Sequence, residues 1–260
     1  MKENGRNYYN KAIGKKYSNR QHKKKVPKVI KIVIAVFIVF IALFMAYVSD
    51  YYHSEDVSQY MKDTSSVSVI NFSDCIFFDG PGEQEAVIFY PGAKVEAEAY
   101  APLMFKLARE GVDCFLVKMP FNLAVFGINK ADDILAAYDY EHWYMAGHSL
   151  GGAMAASYTA EHIGEIEGVI LLAAYSAKDL TDPRIAVLSL YGNEDGVLNM
   201  QKLEKGREMV SENYTEVCIE GANHAGFGNY GEQKGDNKAS LTNEEQQERT
   251  IEEIIKFIRR

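Results

Sequence analysis

The spacing of hydrophobic positions changes along this chain and divides it. From Val29 to Val48, VIKIVIAVFIVFIALFMAYV, nearly every position is apolar and the only charge is Lys31, so a helix here has no polar face. At 1.5 Å per residue that stretch spans about 30 Å, the hydrocarbon thickness of a bilayer. It is expected to be a transmembrane helix, with Tyr47, Tyr51 and Tyr52 at the far interface.

From about residue 65 the pattern alternates between strand-like and helix-like spacing. SVSVINF and CIFFDG predict a hairpin, EAVIFYPG a short strand, and residues 95–110 a helix stopped by Gly111. VDCFLVKMP, HWYMAG, GVILLAA, IAVLSLYG and EVCIEG are further strands. KADDILAAY and residues 150–162, 200–213 and 243–260 are the helices between and after them. Apolar strands separated by helices predict an α/β class: a doubly wound, mostly parallel sheet covered on both faces. In such a sheet the ligand crevice lies at the carboxyl ends of the strands.

Charge sharpens the division. Of the formal net charge of −8, residues 1–31 contribute +10, with eleven Lys or Arg against Glu3 alone, and the remainder contributes −18. Lys23, Lys24, Lys25, Lys28 and Lys31 before the apolar run place that end in the cytoplasm and everything after residue 50 outside. A cleaved signal peptide has shorter basic and apolar regions and a small-x-small site, which is not evident here. The expected layout is a basic cytoplasmic tail over residues 1–28, a signal anchor over 29–48 and a linker over 49–64, followed by a catalytic domain over 65–260. The tail suits anionic lipid better than nucleic acid. Cys75, Cys114 and Cys218 are an odd set, and Cys114 and Cys218 fall in apolar strands, so buried thiols are expected in preference to bridges.

Candidate chemistry begins at MAGHSLGGAMAA, where Ser149 lies between a strand and a helix with Gly147 and Gly151 on either side. A strained strand-to-helix elbow would push such a serine into the crevice, and the helix amino terminus would favour negative charge beside it. Serine needs a base, and the base an orienting acid. NEDGV after one later strand supplies Asp195, with Glu194 as the substitute acid, and ANHAGFGNYG after the next supplies His224. Each also has a plainer reading: Ser149 as a packing residue, Asp195 as a turn residue before Gly196, His224 as a surface histidine. Their order and placement on strand ends favour the triad. No His-Glu-x-x-His helix, paired Cys-x-x-Cys or glycine-rich phosphate loop is present in the sequence, so no metal or cofactor is expected.

GHSLGG, YGNEDG and GANHAGFGNYG, with FYPGAKVEAEAYAPL and VKMPFNLAVFGINKADDI, together resemble the alpha/beta-hydrolase superfamily in its compact fold-5 form, over residues 65–260. The resemblance implies Ser149 as nucleophile, His224 as general base then acid, and Asp195 as the residue fixing the imidazole tautomer. It also implies an oxyanion hole from the backbone N–H groups of Ala93 and Leu150, with Pro91-Gly92 in place of the commoner His-Gly pair. YSAKDLTDPR is too short to hold a large lid, so the domain is expected to be capless. Its pocket walls are expected from Phe121, Leu123, Val125 and Phe126, and from Phe227 and Tyr230. The function expected is a membrane-anchored serine hydrolase acting on a small-molecule carboxylic ester or related acyl bond. The alternatives are a non-catalytic binding or scaffold domain on the same fold, and a peptidase or acyltransferase using the same triad.

Overall fold

The computed structural model describes residues 27–260, so the expected basic tail lies outside the described residues save for its last two. The chain divides after Tyr47 into two compact units. Helix α1, Lys28–Ser49, has 22 residues and a mean hydropathy of 3.0; among the described residues it alone is long and apolar enough to cross a membrane. Val29, Ile34 and Val39, spread around its axis, are 70%, 50% and 57% exposed, so its apolar surface is continuous on every side.

In the second unit, β1 (Ser68–Asn71), β2 (Cys75–Asp79), β3 (Glu85–Tyr90), β4 (Asp113–Val117), β5 (His142–His148), β6 (Gly168–Leu172), β7 (Ala186–Gly192) and β8 (Tyr214–Ile219) form one sheet. Its order is β1-β2-β4-β3-β5-β6-β7-β8. β1 and β2 make the expected antiparallel hairpin, β2 runs antiparallel to β4, and every other neighbour pairs in parallel. The period-two alternation of side chains gives each strand two buried faces. On β3, Val87 and Phe89 join the core beneath α2 (Ala101–Arg109) and α6 (Asn243–Ile258). Ala86, Ile88 and Tyr90 join the opposite core, beneath α3 (Ala131–Ala137) and α4 (Leu150–Glu161).

Two helices are shorter than the sequence pattern predicts. Residues 95–110 open as a 3-10 turn, Ala97–Tyr100, and α2 starts at Ala101 with Pro102 in its first turn, where a missing N–H loses no bond. Residues 200–213 give α5, Met200–Gly206, then a 3-10 turn, Arg207–Met209. At the other end of the unit α6 is held by a capping box: Thr242 Oγ1 accepts the Glu245 N–H and the Glu245 carboxylate accepts the Thr242 N–H.

Two expectations need correction. Cys75 and Cys114 are buried and all three cysteines are unpaired, but Cys218 is exposed, because β8 is the last strand of the sheet and one of its faces meets solvent. Residues 49–64 are not a free linker. They belong to the second unit, and Tyr52 pairs with Val95 as an isolated parallel bridge.

Candidate active site

β3 and β5 lie side by side in the middle of the sheet, and the chain leaves both at the same edge. After β5 it turns sharply into α4 at Ser149, whose backbone sits at φ 53°, ψ −120°, a conformation that side-chain-bearing residues rarely adopt. The turn is tied down because the Ser149 N–H donates to the Leu172 carbonyl at 2.9 Å and its carbonyl accepts the Ala153 N–H at 3.1 Å. Close backbone approach explains the glycines. A Cβ on Gly147 would lie 2.5 Å from the Gly151 carbonyl carbon, and one on Gly151 would lie 2.1 Å from the Tyr90 oxygen. Gly152, unremarked in the sequence, is equally constrained: a Cβ there would meet the Ala174 Cβ at 2.5 Å.

The loop after β7 carries Asp195 and the loop after β8 carries His224. His224 Nδ1–H donates to Asp195 Oδ2 at 2.8 Å, and both side chains are essentially buried. The other Asp195 oxygen accepts the N–H groups of Val197 and Leu198 at 2.8 and 2.7 Å, so the carboxylate is fixed on both sides. Neighbouring Glu194 accepts from the Asn193 side-chain amide instead. With Nδ1 carrying the proton, His224 Nε2 is a base lone pair; it is buried and makes no hydrogen bond.

A residue the sequence reading missed connects these two loops. Asp236 Oδ1 accepts the Gly196 N–H at 3.0 Å and Oδ2 accepts the Ala225 N–H at 2.9 Å. One carboxylate thus clamps the residue after Asp195 to the residue after His224. It comes from a polar loop whose local pattern says nothing of its partners.

A second network joins the loop after β3 to the elbow. The Gly92 N–H donates to Tyr100 Oη at 3.1 Å, which leaves the phenol proton for His148 Nδ1 at 2.8 Å. Gly92 is required by this contact, since a Cβ there would lie 2.8 Å from both partners. His148 is fully buried, and its pKa is held well below the usual histidine value by that burial, then by the nearby His224, with the His224 backbone opposing. It is therefore neutral beside the His224 ring, whose centroid is 4.6 Å away.

Ser149 and His224 line one cavity of about 240 Å³, together with Leu150, Ala153, Ala173, Ala174, Tyr175, Val197, Leu198 and Asn199. Leu150 opens α4, so its N–H has no carbonyl one turn back to bond. Ala93, half-buried, lies in the loop after β3 and is not part of this lining. Nor are the six expected wall residues. Phe227 is wholly buried, packed against the His148 ring, and Leu123 is buried as well, while Phe121 and Phe126 are half exposed and stack edge to face with each other. The walls come instead from small residues after β6 and from the turn that carries Asp195. Among the described residues no group of three His, Cys, Asp or Glu side chains is placed to hold a metal ion.

Comparison with known proteins agrees with this architecture. A predicted CIB-like hydrolase from Thermoplasma acidophilum superimposes with a TM-score of 0.53 at 14% identity, over 73% of this chain and 97% of that one. Est1E from Butyrivibrio proteoclasticus gives 0.53 at 17% identity, over 75% and 100%. Mouse alpha/beta hydrolase domain-containing protein 10 gives 0.51 at 13% identity, over the same shares. No curated protein sequence matches the chain significantly. At these identities the structures speak to fold alone, but the sequence model of the alpha/beta hydrolase family matches residues 86–248, well over half of the chain. This chain belongs to the alpha/beta hydrolase family.

Proposed function

We propose that this hydrolase cleaves a carboxylic ester through an acyl-enzyme on Ser149, and that α1 holds it in the cell membrane with the hydrolase unit outside. The observation that carries the reading is the pairing of a buried His224–Asp195 hydrogen bond with an unbonded Nε2, on a cavity that Ser149 also lines. His224 Nε2 takes the Ser149 proton as Oγ bonds to the substrate carbonyl carbon. Asp195 holds the tautomer and stabilises the imidazolium. The Leu150 and Ala93 N–H groups donate hydrogen bonds to the carbonyl oxygen as negative charge develops on it, aided by the amino terminus of α4. The carbonyl reforms as the C–O bond to the alcohol breaks, and Nε2–H protonates the leaving oxygen. Water then repeats the sequence and releases the acid.

Cavity size suggests the acyl class. About 240 Å³ bounded by Ala153, Ala173 and Ala174 is below the usual range for drug-sized ligands and fits a short acyl group. The apolar span of α1 and the preceding lysines support a single-pass anchor with its amino terminus in the cytoplasm. A fluorophosphonate probe should label the wild-type chain and fail to label Ser149→Ala. Nitrophenyl acetate and butyrate should be turned over faster than the decanoate. Equal labelling of both proteins would remove the acyl-enzyme, and absence of any Ser149-dependent rate on ester or amide panels would favour a binding domain.

A further inference from the structure

The stretch just after α1 does more than join it to the sheet. We propose that residues 50–55 are a positioning strap for the loop that carries Ala93, so that turnover depends on a segment outside the family's matched region. This rests on the acyl-enzyme reading above and gives its oxyanion loop a third support.

The geometry is a short added strand. The Tyr52 N–H donates to the Lys94 carbonyl at 2.7 Å and the Tyr52 carbonyl accepts the Glu96 N–H at 3.0 Å. Side chains flank this bridge on both sides. Lys94 Nζ donates to Asp50 at 2.9 Å, and the Glu96 carboxylate accepts the Ser54 N–H at 2.8 Å and the Ser54 hydroxyl at 3.0 Å, with His53 Nδ1 at 2.9 Å. Tyr52 and Glu55 then reach the loop after His224. The Lys234 N–H donates to Tyr52 Oη at 3.1 Å, the Glu55 N–H donates to the Asn229 carbonyl at 2.8 Å, and the Tyr52 ring lies 5.5 Å from that of Tyr230. The strap therefore spans the two loops that present Ala93 and His224.

Its effect on Ala93 follows from what else holds that loop. Lys94 sits at φ 60°, a conformation its side chain disfavours, and its N–H donates to the Asn122 carbonyl at 2.7 Å. Gly92 is held from the other side by Tyr100. Ala93 lies between these anchors, and the peptide plane after it is the one whose next carbonyl Tyr52 grips. Releasing that grip lets the Lys94 backbone relax and turns the Ala93 N–H away from the position an oxyanion would occupy. These are positioning residues: none touches the reacting atoms.

The test uses the full-length chain in detergent. Tyr52→Pro removes the N–H that Lys94 accepts, and Glu96→Ala removes the carboxylate that gathers Ser54 and His53. Misplacing one oxyanion donor should lower kcat by about 10- to 100-fold with KM little changed. The preference for an ester over its thionoester should fall in parallel, because sulfur is the poorer acceptor for oxyanion-hole donors and a lost donor removes the difference. A structural role alone would not move that ratio. Glu96→Ala keeps the test decisive if Tyr52→Pro fails to fold. Ser149-dependent turnover with both kcat and the ester-to-thionoester ratio within twofold of wild type in a folded variant would overturn the strap and leave the acyl-enzyme standing. Wild-type chain with no Ser149-dependent turnover would overturn both.

Discussion

At Gly151 the fold and the site are pressed closely together, and Gly151→Ala tests that. An added Cβ would lie 2.1 Å from the Tyr90 oxygen and 2.3 Å from the Pro91 oxygen, so the two elements must separate by about 1.3 Å to reach ordinary contact. Both obstacles are backbone at the end of β3, and neither can swing aside. Alanine gains about 1 kcal/mol of helix propensity over glycine, whereas overpacking of this kind costs about 1–3 kcal/mol, so the net loss of stability is at most about 2 kcal/mol. The larger effect is on chemistry. On the proposed mechanism the same displacement moves the loop that carries Ala93 relative to Ser149, and a shift of about 1 Å in reacting geometry costs about 100-fold in rate. Gly164→Ala is the control: Gly164 has φ 103° with only the Arg184 side chain near, at 3.9 Å, so the substitution strains the backbone far from the site. Urea midpoints and kcat on nitrophenyl acetate measure both. Gly151→Ala should lose both stability and turnover and Gly164→Ala stability alone. A Gly151→Ala enzyme with wild-type kcat would refute the close clamp between α4 and β3.

The Asp236 clamp predicts that Asp236→Ala lowers kcat about tenfold and stability by about 1–2 kcal/mol, since the Gly196 and Ala225 N–H groups lose a charged acceptor, with Asp236→Asn intermediate; steady-state kinetics and urea unfolding check it, and unchanged kcat in Asp236→Ala would show that the loops hold themselves. His148 predicts a pH dependence. Its folded pKa lies below the unfolded value near 6.5, so its contribution is whole above that pH and falls as pH drops below it, by about 1.4 kcal/mol per unit. His148→Gln keeps an acceptor for Tyr100 and does not titrate, so the stability difference between wild type and this variant should shift against wild type by about 1.4 kcal/mol between pH 7.5 and 5.5. A difference that ignores pH would mean the imidazole is not held neutral.

How much of this could be read in the chain follows from which signals are local. The strands were legible because burial on both faces makes them near-continuous apolar runs, and Ser149, Asp195 and His224 could be placed on loops once those strands were placed. The sequence favoured Asp195 over Glu194 as the acid, and the bonding distinguishes them: Asp195 accepts from His224, whereas Glu194 accepts from the Asn193 amide. The pocket walls were misread because loop apolarity does not say which way a side chain turns: Phe227 faces the core, and the true lining includes Ala153, Ala173 and Ala174, too small to stand out. The helix ends slipped where the chain tightened into 3-10 turns at Ala97–Tyr100 and Arg207–Met209. Tyr52, Tyr100 and Asp236 act through partners eight to more than a hundred residues away, and no periodicity reports such a distance.

The backbone angle at Ser149 has a wider implication. A residue held at φ 53° is one that glycine would occupy with less strain, so for folding alone the hydroxymethyl group is a burden. Ser149→Gly should leave a sturdier, chemically silent protein. A side chain retained against the comfort of its own main chain is there for something other than architecture.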